Sequence, residues 1–139
     1  MFFILEDWKH ALNWVNKIID DKSDTRKDIQ HFARILSLLF HYEMGKGDLL
    51  EYMTRSVYRY LEREERLLGF ERIMLIYLKK FPFALDNKEL LKSFANLKKE
   101  IETLENTPGE RAHLGMSEMI MWLTSKVEKR RLEEIVRET

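Results

Sequence analysis

Three acid-x-x-His pairs are the residues of this chain whose spacing comes closest to metal-binding chemistry. They are Asp7–His10, Asp28–His31 and Glu110–His113. Di-iron carboxylate bundles bind metal with Glu-x-x-His on two helices and a Glu from each of two others, all directed into the core. Here each acid falls in or near the first turn of a predicted helix, where the helix macrodipole stabilises negative charge anyway. Because no further inward carboxylates accompany the pairs, the sequence predicts no metal site and no cofactor.

Four arginines recur every three or four residues along one predicted helix: Arg55, Arg59, Arg63 and Arg66. Such a row of cations can bind an acidic peptide or phosphates. A structural role competes with this, because Glu71 lies among apolar residues of the next helix and a buried carboxylate needs a partner. An antiparallel hairpin would bring Arg55 or Arg59 within one turn of Glu71. The sequence therefore favours a structural ion pair of Glu71 with Arg55 or Arg59 over a ligand site.

The sequence contains no motif for nucleophilic or phosphate-transfer chemistry. It has no Gly-x-Ser-x-Gly, no P-loop, no dinucleotide-binding glycine pattern and no Cys. Ser37, Ser56 and Ser117 lie in helical segments without a base nearby in sequence. Since an active site needs a nucleophile, a base and an orienting group, we predict that the chain is not an enzyme.

Composition is that of a helical globular domain. The 139 residues are 45% hydrophobic and 35% charged, with only 5 Gly and 2 Pro for turns. The 24 basic and 24 acidic residues cancel, which removes the bulk attraction to nucleic acid or an anionic membrane. No apolar run approaches the roughly 18 residues of a membrane span. The apolar start lacks a basic segment before it, so it is not a signal peptide, and a cytoplasmic location is expected.

Apolar residues spaced three and four apart predict about six amphipathic helices. The second, about 25–44, is apolar around most of its circumference, as in a helix with neighbours on several sides. Gly45 is expected to end it in the left-handed conformation, and Asp48 to cap the third helix. Residues 62–66 contain no Gly or Pro, yet a break is predicted there. Without it, the apolar stripe of helix three would place Glu64 and Glu71 in the packed seam.

The last third of the chain is predicted to hold two more helices. Asp86 is expected to cap the fifth, and Thr107-Pro108-Gly109 to form a linker. The sixth carries an apolar stripe that shifts phase after Val127, so residues 128–139 are expected to project into solvent. Trp122 falls one position off the apolar face of the sixth helix. If Trp122 and Met121 are exposed, this helix offers a homodimer surface.

Two parts of the chain resemble tetratricopeptide repeats. In that family helix A ends at Gly, and helix B opens with an aromatic followed by a small residue three positions on. Trp8 and Ala11 match the second feature, and Gly45 matches the turn glycine. Leu50 stands where the small residue is expected, and the proline that ends helix B is absent.

A longer string is similar to the C-terminal helical region of a group of uncharacterised bacterial tetratricopeptide-like proteins. The resemblance covers residues 8–122 and implies an all-α, right-handed superhelical stack of about six antiparallel helices, forming one helical-repeat domain over 1–139. Because the first helix looks like a B helix, its A helix would precede Met1, and the chain is expected to be part of a longer array. The string is His41-Tyr42-Glu43-x-Gly45, Asp48-Leu49-Leu50-Glu51-Tyr52, Arg55-Ser56, Tyr58-Arg59 and Glu71.

A polar stripe on helix two is the candidate partner-binding site. In tetratricopeptide-like stacks the A helices line a concave groove, and polar residues there contact peptides. The sequence thus favours a non-catalytic protein-interaction or scaffolding module that binds a protein or peptide, although a merely solvated helix face gives the same pattern. The alternative function is an anion- or nucleic-acid-binding module that uses the arginine row, against which the zero net charge argues. The candidate groove residues are Gln30, Arg34, Ser37 and His41 on helix two, with Arg72 and Lys79 on helix four.

Overall fold

The computed structural model describes residues 3–21, 26–108 and 115–139. These residues form seven α-helices and one short 3₁₀ helix, with no strand among them, so the all-α prediction is confirmed. They group into two compact units, Met1–Pro82 and Phe83–Thr139. The helices are α1 (Trp8–Asp20), α2 (Lys27–Glu43), α3 (Gly47–Arg63), α4 (Gly69–Lys80), α5 (Asn87–Glu105), α6 (Met116–Glu128) and α7 (Leu132–Glu138), and the 3₁₀ helix is Phe81–Phe83. No helix in these ranges is long and apolar enough to cross a membrane.

The first unit is organised around α2, which packs against α1, α3 and α4. This placement explains why apolar residues cover most of its circumference. Leu38 and Leu39, adjacent in sequence, are both fully buried. Leu50 and Leu61 of α3 and Met74 of α4 are fully buried in the same unit.

The turn between α2 and α3 has the expected left-handed glycine. Gly45 has a φ of 78°, its amide donates to the carbonyl of Tyr42, and the next amide donates to that of His41. This is the Schellman pattern. The predicted Asp48 cap is wrong, because α3 begins one residue earlier, at Gly47, and leaves Asp48 inside its first turn. A Cβ on Gly47 would lie 2.9 Å from the Cβ of Pro82, so the close approach of these two residues needs glycine.

The predicted break between helices three and four is confirmed. Helix α3 ends at Arg63 and α4 begins at Gly69. Glu65 adopts a left-handed φ of 56°, and the amide of Arg66 donates to the carbonyl of Leu61 at 2.8 Å. A second Schellman turn therefore closes α3 without any glycine.

The second unit contains α5, α6 and α7. The predicted cap of α5 is confirmed, since the Asp86 carboxylate accepts the amide of Glu89 at 2.8 Å. Thr107 and Pro108 of the predicted linker are exposed, and Gly109 lies outside the described residues. Trp122 is only 1% exposed and meets Phe94 edge-on, with ring centroids 5.7 Å apart. A dimer surface on α6 was expected only if Trp122 and Met121 are exposed, and Trp122 is not.

Residues 128–139 were predicted to project into solvent, and this prediction is wrong for residues 132–138. Lys129 takes a left-handed φ of 55° and ends α6, after which α7 packs against α6. Leu132 and Ile135 are buried by this packing. The two residues are three apart and so share one face of a short helix, which accounts for the phase shift seen in the sequence.

Candidate functional site

One depression on the first unit lies between α3 and α4. This α3–α4 groove is a cavity of about 330 Å³, at the small end of the roughly 300–1,000 Å³ typical of ligand pockets. Positions three or four apart on a helix share one face, and this spacing brings its lining residues together. Its lining residues are Thr54, Arg55 and Tyr58 of α3, and Arg72, Leu75, Ile76 and Lys79 of α4.

The groove has an apolar surface and a basic rim. Leu75 is buried in its wall, whereas Ile76 is 56% exposed. Within the described part of the chain, Arg72 and Lys79 have no carboxylate at ion-pair distance. Arg55 Nη2 lies 3.5 Å from Glu51 Oε1, but both side chains are about half exposed, and such surface pairs contribute little to stability. The rim therefore presents three cations with little compensation.

Thr54 is the polar residue inside the groove. It is buried, and its Oγ1 has no hydrogen-bond partner in the part of the chain that the structure describes. Helical threonines elsewhere in the chain do find one: Thr103 Oγ1 donates to the Lys99 carbonyl at 2.9 Å, and Thr124 Oγ1 to the Ile120 carbonyl at 2.7 Å. Buried polar groups are normally satisfied, so this exception asks for a reason, and a ligand is one.

Replacing Thr54 by Val is expected to raise the stability of the chain by about 1 kcal/mol, because the change removes an unsatisfied buried hydroxyl at nearly constant volume. Urea denaturation followed by circular dichroism measures the shift in midpoint. Thr124→Val is the matched control and should be neutral or destabilising, since that hydroxyl is bonded. If both variants lose the same stability, the Thr54 hydroxyl is paired in solution.

A second, shallower depression lies where α1, α2 and α3 meet. It is about 160 Å³, and Arg34 and Ser37 of α2 line it together with Tyr52 and Ser56 of α3. The Arg34 guanidinium carbon lies 3.7 Å from the centroid of the Tyr60 ring, a cation–π contact that holds the side chain in place. Arg34 Nε is buried, and no described residue forms a hydrogen bond with it.

The six candidate groove residues do not share one surface. Arg72 and Lys79 line the α3–α4 groove, whereas Arg34 and Ser37 line the depression beside α1. Helix α3 contributes residues to both depressions, but neither depression is lined by both α2 and α4. The polar stripe of α2 and the cations of α4 therefore do not face a common groove.

Gln30 and His41 are engaged in contacts within the protein. Gln30 is buried, and its Nε2 donates to the carbonyls of Ile18 at 2.7 Å and Asp21 at 3.0 Å. It thus holds the end of α1 against α2 rather than presenting a polar group to a partner. His41 Nδ1 lies 2.7 Å from the Ser37 carbonyl of its own helix.

Glu71 is buried, as the sequence predicted, and it caps α4. Its Oε1 accepts the amide of Leu68 at 3.2 Å, which satisfies a donor at the start of the helix. The guanidinium of Arg55 lies against Glu51 of its own helix. The ion pair of Glu71 with Arg55 or Arg59 stays a prediction.

The arginine row follows the exposed face of α3. Arg55, Arg59 and Arg63, with Tyr52 and Ser56, line a shallow depression of about 240 Å³. Like charges four residues apart on a helix destabilise it slightly. Arg66 falls outside the row, because it follows the left-handed turn that ends α3.

The acid-x-x-His pairs form no cluster in the described residues. Asp7 Oδ2 lies 2.7 Å from His10 Nδ1 at the exposed start of α1. Asp28 accepts the side chain of Arg26, which lowers the pKa of its carboxyl. The pair Glu110–His113 lies outside the described residues. No group of three metal-binding side chains occurs in the part of the chain that the structure describes.

His31 is a buried histidine whose ring faces Tyr60 at 5.7 Å between centroids. Among the described residues, its Nε2 has no hydrogen-bond partner. Burial lowers the pKa of His31 below its usual 6.5, and the positive charge of Arg66 lowers it further. The other charged groups that act on it are Lys27 and Arg34, which also lower the pKa, and Glu64, which opposes them. Folding therefore disfavours the protonated form of the ring.

Stability should fall as the pH drops below about 6.5, because the unfolded chain then binds a proton that the folded chain does not. Above that pH, the contribution of His31 to the free energy of unfolding is fully present. Denaturation midpoints measured at about pH 7 and about pH 5 test this, and His31→Phe should make the dependence shallower. An unaltered slope in His31→Phe would contradict the prediction.

The sequence and fold were compared with protein-family models, curated proteins and solved structures, and no match was found. The resemblance to tetratricopeptide repeats therefore stays a prediction. Four lining residues of the α3–α4 groove were missed from the sequence: Thr54, Tyr58, Leu75 and Ile76. The α4 side of the groove could have been predicted from the spacing of residues 72, 75, 76 and 79, which places them on one face of a helix.

Proposed function

We propose that the chain is a non-catalytic protein-interaction module and that the α3–α4 groove receives a segment of a protein partner. The observation that supports this is the combination of an exposed aliphatic side chain, Ile76, with the uncompensated cations Arg72 and Lys79 in one cavity. Tyr and Arg, which also line the groove, are enriched at protein interfaces and among the residues that contribute most to binding.

The wider proposal is a tetratricopeptide-like scaffold that acts in the cytoplasm as part of a longer helical array. The helix pairs α1–α2 and α3–α4, each joined by a short connection, are compatible with such repeats. Two consecutive α-hairpins stacked on a common core are the unit from which these arrays grow.

A photocrosslinking amino acid at position 76 tests the proposal. The full chain carrying it is irradiated in its own cells, and adducts are identified by mass spectrometry. We expect one protein adduct that depends on the crosslinker being at position 76. The same amino acid at position 92, where Lys92 is exposed on α5, is the control and should not yield that adduct. Identical adducts from both positions would contradict a partner site in the groove.

Anion binding along the arginine row is the second candidate function. Arg59 and Arg63 favour it, because they line a polar depression on the exposed face of α3. Arg59→Glu/Arg63→Glu separates the two functions, because these residues do not line the α3–α4 groove. Loss of binding to a single-stranded oligonucleotide, with the adduct at position 76 retained, would assign the row to anions.

A further inference from the structure

We propose that the segment bound by the α3–α4 groove is acidic and carries an apolar side chain, and that Thr54 is the groove's hydrogen-bonding residue for it. This inference rests on the proposed function and adds the chemistry of the partner. It follows from three features of one cavity: an apolar wall, a cationic rim and an unpartnered hydroxyl.

The apolar requirement comes from α4. Leu75 and Ile76 form adjacent parts of the groove wall, and about half of the Ile76 side chain contacts solvent in the free protein. Covering that surface with an aliphatic or aromatic side chain removes it from water, which favours binding by roughly 25 cal/mol per Å². A purely polar or phosphate ligand would leave this wall unpaired.

The acidic requirement comes from the rim. Arg55, Arg72 and Lys79 surround the cavity, and only Arg55 has a carboxylate neighbour in the described residues, at 3.5 Å. The chain as a whole carries no net charge, so this positive surface is local. Complementary charge guides the choice of partner and speeds association more than it adds affinity. Carboxylates beside the apolar anchor meet this rim.

Thr54 supplies the directional contact. Its buried hydroxyl has no hydrogen-bond partner among the described residues, so it is free to turn toward the groove and donate to a carboxylate or carbonyl oxygen of the bound segment. A hydrogen bond to a charged group in a desolvated groove is stronger than one at the surface. Loss of this hydroxyl should therefore weaken binding while the free protein gains stability.

An acidic peptide fits these observations better than a nucleic acid. Binding of a nucleic-acid backbone depends on phosphate neutralisation by many cations and gains little from an aliphatic wall. The row of Arg55, Arg59 and Arg63 lies along the exposed face of α3, and only its first member reaches the groove. The cavity that contains Ile76 is thus better suited to bind an apolar side chain than a phosphate backbone.

Selection from a random peptide library displayed on phage tests the inference. The full chain, its Arg72→Glu variant and its Lys92→Glu variant are used in parallel. We expect the wild-type chain and Lys92→Glu to enrich peptides with Asp or Glu beside an aliphatic or aromatic residue, and Arg72→Glu to lose that enrichment. The most enriched peptide should then bind Thr54→Val about tenfold more weakly, measured by fluorescence anisotropy.

Three results would overturn the inference. The first is enrichment of peptides without acidic residues, and the second is unchanged enrichment in Arg72→Glu. The third is that a single-stranded oligonucleotide displaces the enriched peptide from Arg59→Glu/Arg63→Glu as readily as from wild type. Crosslinking at position 76 keeps the two proposals apart. A specific protein adduct at position 76, without enrichment of acidic peptides, would contradict only the proposed chemistry of the partner. Absence of any position-specific adduct would contradict the groove as the binding site.

Discussion

Replacing Trp122 by Ala is expected to destabilise the unit formed by α5–α7 by about 3–5 kcal/mol. The side chain is 1% exposed and packs edge-on against Phe94, so its removal leaves a large cavity in the core. Lys126 Nζ lies 5.7 Å from the centroid of the indole ring and loses this contact as well. A domain is stable by only about 5–15 kcal/mol in total, so the loss is a large fraction.

Amide hydrogen exchange followed by mass spectrometry measures this effect for each unit separately. We expect faster exchange in α5 and α6 in the Trp122→Ala chain, together with a lower denaturation midpoint. Trp14→Ala is the matched control, because Trp14 is 58% exposed on α1 and its loss should change stability by less than about 0.5 kcal/mol. Equal effects of the two substitutions would show that Trp122 is not a core residue.

Reversing the charge of the groove with Arg72→Glu/Lys79→Glu is expected to weaken partner binding at least a hundredfold, about 2.8 kcal/mol. Each carboxylate introduced would face the acidic segment of the partner, and like charges brought together at an interface cost several kcal/mol. The yield of the protein adduct at position 76, or the affinity of an enriched peptide, measures the effect. Both substituted residues are exposed, so the fold should persist.

The control for this change is Lys88→Glu/Lys92→Glu on α5. It makes the same change in net charge at exposed positions of the other unit and should leave binding within about twofold, since surface charges outside a contact act weakly through solvent. Circular dichroism confirms that each double variant is helical. Equal loss of binding in both variants would mean that overall charge, rather than the groove, controls the interaction.

The helices could be predicted from the sequence where apolar spacing was long and regular. The break between α3 and α4 was also accessible, because a continuous helix would have placed Glu64 and Glu71 in a packed seam. The close approach of Gly47, the first residue of α3, to Pro82 was not, since these residues are far apart in the sequence.

A left-handed residue other than glycine explains the difference at the end of α6. Gly45 indicated the turn after α2, but Lys129 adopts the same conformation without any sequence signal. Because Lys129 ends α6, the short α7 folds back and buries Leu132 and Ile135, a pair too brief to indicate a helix by periodicity.

The candidate site was predicted only in part. Arg72 and Lys79 were expected to share a groove with the polar stripe of α2, but the groove that they line contains no α2 residue. Gln30 of that stripe binds the end of α1 through its amide. Sequence spacing places residues on a face of a helix but does not say which neighbour covers that face. The role of Thr54 could not be predicted at all, because an unpartnered hydroxyl is visible only when the surrounding atoms are known.

Methyl NMR on the full chain, isotopically labelled at isoleucine, tests most directly whether the α3–α4 groove is the partner-binding surface. The partner identified by crosslinking, or the enriched peptide, is added in steps. The methyl signal of Ile76 should shift or broaden most, because this side chain lies half exposed in the groove. Shifts confined to Ile120 and Ile135, with Ile76 unchanged, would place the partner on the α5–α7 unit and contradict the account.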